Sequence, residues 1–355
     1  IMFWCGDLAR YCEARWPDTH QQVWPEWVSP GMLSRTAGVC RKYPDEGDRR
    51  HSATYTQYSQ VPNHSDRHEQ LEKIVQEGMT SDESRKAVSS QPQRWLLAID
   101  ADYFLHRYWF TGASMETAHS VAGWIERTVN RLKAKGLTDV VCCFDSKVNH
   151  RKALTEDWEH KYKDRPHKDP ELKQQLAVGR DLLEKKGFAC ASEEGMEGDD
   201  IMASCAKQFD GKVTLMTLDK DCRQCLSEKC NILLDVNWSK HPASGEMIPE
   251  YTWLSARDHI EETGIRPDQW CEFQSLMGDK VDGIRGASGI GEVGATQLIQ
   301  TFGTAAEAIQ AAKDMDERIP IVKQRGLIDF EPQLETTLKL VTLRTDLEIP
   351  GNTRV

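Results

Sequence analysis

The sequence predicts an α/β fold, a parallel sheet flanked by helices with a C-terminal helical module, and three observations carry that prediction. Apolar runs of strand length at 95–99, 140–144 and 213–218 each lead into an aspartate, Asp100, Asp145 and Asp219. Helical periodicity lies between those runs, which implies parallel strands joined by right-handed crossovers. Beyond about residue 247 the strands stop and helical patterns dominate.

Residues 1–93 are polar, rich in Trp, Arg, His, Gln and Ser, and show no sustained period, so they read as a largely disordered extension. Leu71, Ile74 and Val75 suggest one short helix within 67–75, and Trp4, Trp16, Trp24 and Trp27 are candidates for local packing. From Arg94 a strand at 95–100 precedes a helix at 116–135, closed by Lys135-Gly136 as a C-terminal signal. A strand at 140–145 leads into a charged stretch at 146–170 and a helix at 171–186 that ends at Gly187. A helix at 199–208 and a strand at 213–218 complete the α/β domain, 94–246. The module at 247–355 is expected to hold helices at 250–262, 267–277, 292–302, 304–313 and 332–343. Between the second and third of these lies a glycine-rich turn, Gly283 to Ala295.

At 355 residues and 39% hydrophobic content the chain can bury a sizeable core. A net charge of −11 argues at first against a nucleic-acid partner. However, nine of the 56 acidic residues fall in five tight clusters: Asp100; Asp145; Glu197, Asp199 and Asp200; Asp219 and Asp221; Asp279 and Asp282. Cys142, Cys143, Cys190 and Cys205 sit inside apolar patterns, which suits a reducing, intracellular setting. Cys222, Cys225 and Cys230 have half the spacing of a zinc site but no second ligand pair, which favours core packing. No run reaches the ~18 to 20 apolar residues of a membrane span. Asp7 and Arg10 leave no evident cleavable leader, and Ile1 is compatible with a processed, truncated or misassigned start.

Carboxylates at the C-terminal ends of parallel strands converge in the crevice where such sheets bind ligands. Packed together they repel unless cations lie between them, and oxygen donors favour hard ions such as Mg²⁺ or Mn²⁺. The helix dipole alone would favour acids in a first turn, but Glu197, Asp199 and Asp200 exceed what capping requires. Asp219 and Asp221 are expected on the same side of an extended segment, and Asp279 and Asp282 on one helix face or turn. Lys147, Arg151, Lys152, Lys161, Lys163, Arg165 and Lys168 interleave with Trp158 and Tyr162, a pattern that suits a single-stranded backbone with stacked bases. Gly289-Ile290-Gly291 at a helix entrance is suited to hold a phosphate. Asp100-Ala101-Asp102 also resembles the opening motif of haloacid-dehalogenase-type phosphatases, a reading that leaves the glycine turn and Asp279/Asp282 without a role.

In this order, Ile99-Asp100, Phe144-Asp145, Glu197-Gly198-Asp199-Asp200, Leu218-Asp219-Lys220-Asp221, Gly278-Asp279 through Gly291, and Arg344-Thr345-Asp346-Leu347 resemble the 5′-to-3′ exonuclease and flap endonuclease family over 94–347. The resemblance is to the bacterial form that also occurs as the N-terminal nuclease domain of DNA polymerase I. It implies a PIN-like nuclease domain with a helix-three-turn-helix module, free-standing because no polymerase region follows Val355. It implies a two-metal phosphodiesterase of DNA replication and repair, acting on 5′ ends or 5′ flaps of DNA, with RNA annealed to DNA as a further substrate. Two Mg²⁺ or Mn²⁺ ions are implied, the first on Asp100, Asp145, Glu197 and Asp199, the second served by Asp200, Asp219, Asp221, Asp279 and Asp282. A monovalent cation is expected at Gly289–Gly291. The arch lysine and arginine fall on Lys163 and Arg165, and nucleic-acid contacts on His106, Arg151, Lys152, Lys161, Tyr162, Lys168, Gly289, Ile290 and Gly291. The chain departs from the pattern in having one residue fewer than usual between Lys163 and Arg165 and a longer run before them, in His106 where an aromatic is usual, and in Val293 where a lysine is common. A cytoplasmic, nucleoid-associated monomer is the expected setting, and a branched-DNA binding protein without turnover is the alternative.

Overall fold

The computed structural model describes residues 93–112, 116–159, 161–164, 169–241, 245 and 247–355. The extension up to 92, its short helix at 67–75, Arg165 and Lys168 lie outside the described residues. The rest belongs to one compact unit. Its centre is a six-stranded sheet of β1 (Trp95–Asp100), β2 (Asp139–Cys143), β3 (Ala189–Ala191), β4 (Lys212–Met216), β5 (Cys230–Lys240) and β6 (Met247–Leu254), in the order β3-β2-β1-β4-β5-β6. All neighbours are parallel except the β5–β6 pair. The long apolar runs follow from burial on both faces. Leu97 and Ile99 of β1 point into one core with Phe104, Val121, Ile125 and Leu183, while Leu96 and Ala98 point into another with Ile201, Met202 and Leu215.

The helices filling those faces are α1 (Ala101–Gly112), α2 (Thr117–Lys133), α3 (Pro170–Lys185) and α4 (Gly198–Gln208). The chain steps from β1 to β2 to β3 on one side, then returns to place β4 on the other side of β1. That reversal opens a crevice beyond the carboxyl ends of β1 and β4, where Asp100 ends one strand and Asp219 follows the other.

The expectation that strands stop near 247 is corrected. Met247–Leu254 is an edge strand, and the helix expected over 250–262 is shorter, α5 (Ala256–Thr263). Mostly partly or fully exposed side chains and Pro249, tolerated at a sheet edge, weaken the strand signal there. Ser255 and Asp258 form a capping box that fixes the start of α5. Helix α1 has no counterpart among the helices expected from sequence, although Ala101, Phe104, Leu105 and Trp109 are buried at helical spacing. Cys222 and Cys230 are fully buried on the α4 side of the sheet, as core packing requires.

The module continues with α6 (Trp270–Met277), a small hairpin of β7 (Gly278–Asp279) and β8 (Ile284–Arg285), α7 (Glu292–Phe302), α8 (Ala305–Lys313) and α9 (Ile321–Val341). Ile265, Phe273, Leu298, Ile309, Leu327 and Phe330 form its core. Helix α9 starts well before the expected 332 and runs through Pro332, which reads in sequence as a helix start. The C-terminus returns to the opposite end of the sheet from Asp100. There Val140 N–H donates to Thr353 O at 2.7 Å and Val355 N–H to Thr138 O at 3.2 Å.

Candidate active site

Hydrogen bonds aim several of the carboxylates near the crevice. Asp100 accepts from Tyr103 N–H at 2.9 Å and from the Thr217 hydroxyl at 3.0 Å. Asp145 accepts from Gly198 N–H at 3.0 Å, and its own N–H donates to Asp102 at 2.9 Å. Asp219 caps a 3₁₀ turn, Lys220–Cys225, by accepting from Asp221 N–H at 2.9 Å. Its pairing with Asp221 therefore arises from a turn and not from the expected extended segment. Asp221 accepts from Gln274 of α6 at 2.6 Å, so the module reaches directly into the site. Asp279 ends β7, where its side chain accepts from Val281 N–H in the following turn at 2.8 Å and pairs with Lys220 at 2.7 Å.

Burial and mutual repulsion act on these groups together. Burial, reinforced by Asp145 and Asp219, raises Asp100 well above the ordinary aspartate range. Burial, followed by Asp219 and Asp100, does the same to Asp199. Asp221 is pushed up to about 8 by burial and then by Asp219 and Asp282. Burial also disfavours charge on Glu197, but Lys163, Arg151 and Tyr162 overcome it and hold its carboxyl below the usual value. Lys163 makes a close ion pair with Glu197 and lies 3.9 Å from Asp282. Its amine stays protonated far above the ordinary range, because Tyr162, Glu197 and Asp282 outweigh burial.

Asp100, Asp145, Glu197, Asp199, Asp219, Asp221 and Asp282 thus share one electrostatic neighbourhood, with Asp279 joined to it through Lys220. Among the described residues, no three His, Cys, Asp or Glu side chains close around one point as a finished metal site. The donor chemistry nevertheless fits a hard divalent cation: the groups are all oxygen donors, and of the burial and mutual repulsion that raise Asp100, Asp199 and Asp221, the repulsion is what such a cation relieves.

This imposes a sign on stability against pH. The folded Asp221, at about 8, keeps its proton where the unfolded residue, near 3.8, has lost it. Stability from such a group is complete below the unfolded value and is lost as pH rises through the folded one. In EDTA the thermal midpoint is therefore expected to fall between pH 4 and 8, and added Mg²⁺ should raise it more at pH 8 than at pH 6. Equal Mg²⁺ shifts at both pH values would contradict this account.

The expectations for four residues are corrected. Asp200 does not face the crevice: it is fully buried and forms a two-point pair with Arg151 at 2.6 and 2.7 Å. Arg151, expected on nucleic acid, is buried against Asp200 and Glu197, and Tyr162 is 2% exposed with its hydroxyl donated to Glu197 at 2.8 Å. Ile290 packs its side chain into the module core and donates its N–H to Ala287 O at 3.0 Å, so it offers no phosphate donor. Gly289 and Gly291 are exposed with open space where a Cβ would stand, and Gly289 has φ 76°. Lys152 and Lys161 are exposed, and half-buried His106 holds Asp102 O through Nδ1 at 2.6 Å. Sequence reasoning missed Thr217, Lys220 and Gln274. Thr217 was detectable as the hydroxyl that directly follows an apolar strand and precedes Asp219, whereas Gln274 gave no local signal.

The approach of Lys163 to the carboxylates depends on the module. Its N–H donates to Asp282 O at 2.9 Å, and it adopts φ 45°, a left-handed conformation uncommon for a residue with a side chain. Next to it Gly283 lies so close to Lys161 O that a Cβ would come within 2.5 Å of that oxygen.

Fold and site define an acid-rich α/β nuclease-type domain joined to a helical module. The 5′-3′ exonuclease N-terminal resolvase-like domain matches residues 95–252, and the 5′-3′ exonuclease C-terminal SAM fold matches 265–354. The chain belongs to the 5′-3′ exonuclease family. It is 29% identical over 268 residues to the thermostable DNA polymerase I of Thermus aquaticus, covering 73% of this chain and 30% of that one. It is 25% identical over 263 residues to the 5′-3′ exonuclease of Aquifex aeolicus, covering 72% and 83% of the two chains. The chain thus spans about 30% of the length of the Thermus polymerases it matches. In fold it is similar to T5 5′-exonuclease solved with bound zinc, with TM-score 0.55 and 22% identity over 71% of this chain and 90% of that one.

Proposed function

We propose that the chain is a divalent-metal-dependent phosphodiesterase that cuts DNA at 5′ ends or 5′ flaps as a 5′-3′ exonuclease and flap endonuclease in replication and repair. The observation that carries this reading is the convergence of seven carboxylates and Lys163 at the point where the sheet reverses its strand order. The names of its relatives, a 5′-3′ exonuclease and DNA polymerase I, support the substrate class, as does a T5 flap endonuclease of the same fold captured with DNA and metal ions.

Two Mg²⁺ or Mn²⁺ ions are the proposed cofactors, on Asp100, Asp145, Glu197 and Asp199 and on Asp219, Asp221, Asp279 and Asp282. When bound, such ions supply an activated water and neutralise charge on the scissile phosphate and leaving oxygen. The chain's own residues do the rest. Thr217 and the Gly198 and Tyr103 N–H groups keep the carboxylates facing inward. Lys163 brings a permanent positive charge to the phosphate, and Arg165 is assigned the same role. Lys152, Lys161 and Lys168 attract the single strand, His106 stacks on a base, and the backbone at Gly289 and Gly291 grips the duplex without reading bases. In this reading 94–246, with its sheet continuing to Leu254, is the nuclease domain and 247–355 the duplex-binding module. RNA annealed to DNA is a further proposed substrate, a monovalent cation is assigned to Gly289–Gly291, and the protein acts as a monomer at the nucleoid. No helix among the described residues is long and apolar enough to cross a membrane.

The test is cleavage of a 5′-labelled flap duplex by the full chain in Mg²⁺, Mn²⁺ and EDTA. Cutting near the single-strand junction in either metal, and none in EDTA, is expected. Tight binding of the flap with no product in either metal would replace this reading with that of a branched-DNA binding protein.

A further inference from the structure

We infer that Arg151 is a positioning residue that fixes Glu197 from behind and ties its orientation to the C-terminal segment 342–347; the inference rests on the metal-dependent nuclease reading. Asn149 caps the 3₁₀ turn His150–Thr155 by accepting from Arg151 N–H at 2.9 Å, which aims the guanidinium inward. There Nη1 donates to Glu197 Oε2 at 3.0 Å and to Asp200 Oδ2 at 2.7 Å, while Nη2 donates to Asp200 Oδ1 at 2.6 Å and to Thr342 O at 3.0 Å. Tyr162 adds a second donor to the same Glu197 Oε2 at 2.8 Å. With Oε2 held by two donors, Oε1 is the oxygen turned to Lys163 and the carboxylate cluster.

The network continues away from the crevice. Asp200 accepts from Arg344 N–H at 2.8 Å and from Glu197 N–H at 3.1 Å. Ser204 of α4 donates to Arg344 O at 3.2 Å and accepts from Leu347 N–H at 3.1 Å, and Gln208 donates to Thr345 O and Leu347 O. The segment after α9 is therefore bound along α4, the helix that carries Asp199, and Arg151 joins both to Glu197. Asp200 is the counter-charge that lets this guanidinium be buried, which explains an acid at 200 that points away from the cluster. Only a planar fork can meet Asp200 at two points and still reach Glu197; a lysine ammonium cannot.

Partners that orient a metal-ligating side chain typically change metal affinity by about 10- to 100-fold. The test measures Mn²⁺ binding without DNA by electron paramagnetic resonance, flap binding in EDTA, thermal unfolding, and single-turnover cleavage against Mn²⁺ concentration. Arg151→Lys keeps the buried charge and is expected to bind Mn²⁺ about 10-fold more weakly, with flap affinity in EDTA within about threefold and cleavage recovering as Mn²⁺ is raised. Tyr162→Phe removes only one donor to Oε2 and is expected to show a smaller shift in the same direction. It carries the test alone if Arg151→Lys does not fold. Unchanged Mn²⁺ affinity in a folded variant with a lowered melting point would reduce the network to scaffolding and overturn the inference. A loss of flap affinity in EDTA larger than the loss of Mn²⁺ affinity would also overturn it, because Arg151 would then be a nucleic-acid contact. The wild-type arm separates the two readings: flap cutting decides the nuclease reading and Mn²⁺ affinity decides the role of Arg151, whereas a wild type that binds no Mn²⁺ overturns both.

Discussion

Asp145→Asn is expected to lower single-turnover flap cleavage by at least about 1000-fold, the upper end of what loss of one electrostatic group costs in an active site, while leaving flap binding within a few-fold. The substitution is nearly isosteric. The amide oxygen of asparagine can still accept from Gly198 N–H, the bond Asp145 makes at 3.0 Å, so the entrance to α4 keeps its anchor. What disappears is one negative charge beside Asp100, whose proton affinity Asp145 helps to raise. Fewer charges to hold a divalent cation means loss of the chemical step without loss of the surfaces that attract DNA. Measurement of both constants on the same flap decides the matter, and a variant that still cuts at the wild-type rate would remove Asp145 from the site.

Lys163→Ala is expected to slow single-turnover cleavage by about 100-fold and to weaken flap binding far less. Alanine carries a Cβ as lysine does, so the left-handed backbone at φ 45° is strained no further, and the bond from the residue-163 N–H to Asp282 O does not involve the side chain. The variant should therefore isolate the ammonium group. That group is paired with Glu197 and lies 3.9 Å from Asp282, inside the carboxylate cluster and away from the outer surface. A unit charge there acts on the reacting phosphate, whereas exposed Lys152 and Lys161 act on the approach of the strand. An unchanged rate with weakened binding would move Lys163 from the chemistry to the grip.

The parallel sheet was legible because β1, β2 and β4 are buried on both faces, which forces uninterrupted apolar runs ending at Asp100, Asp145 and just before Asp219. The β5–β6 hairpin was not, because Met247–Leu254 lies at an edge, partly in water, where alternation is weak. Type and spacing marked the acidic residues as a set, but not which way each one points. Asp200 differs from Asp199 by one step on a helix, and that step turns it from the crevice to Arg151. The partner of Asp200 lies 49 residues away in sequence, a distance over which no local pattern can operate. The same limit hid Gln274 behind Asp221, 53 residues apart, and made the buried Arg151 and Tyr162 look like part of an exposed basic face.

The return of Thr353 and Val355 to Val140 and Thr138 has a practical consequence. Strands β1 and β2 run from that pole toward the carboxylates, so the last residue stands a full strand length from the crevice. A dye, affinity handle or surface tether attached beyond Val355 through a short flexible spacer would leave the mouth of the site unobstructed. Single-molecule observation of flap capture on an immobilised chain could therefore be built from that end.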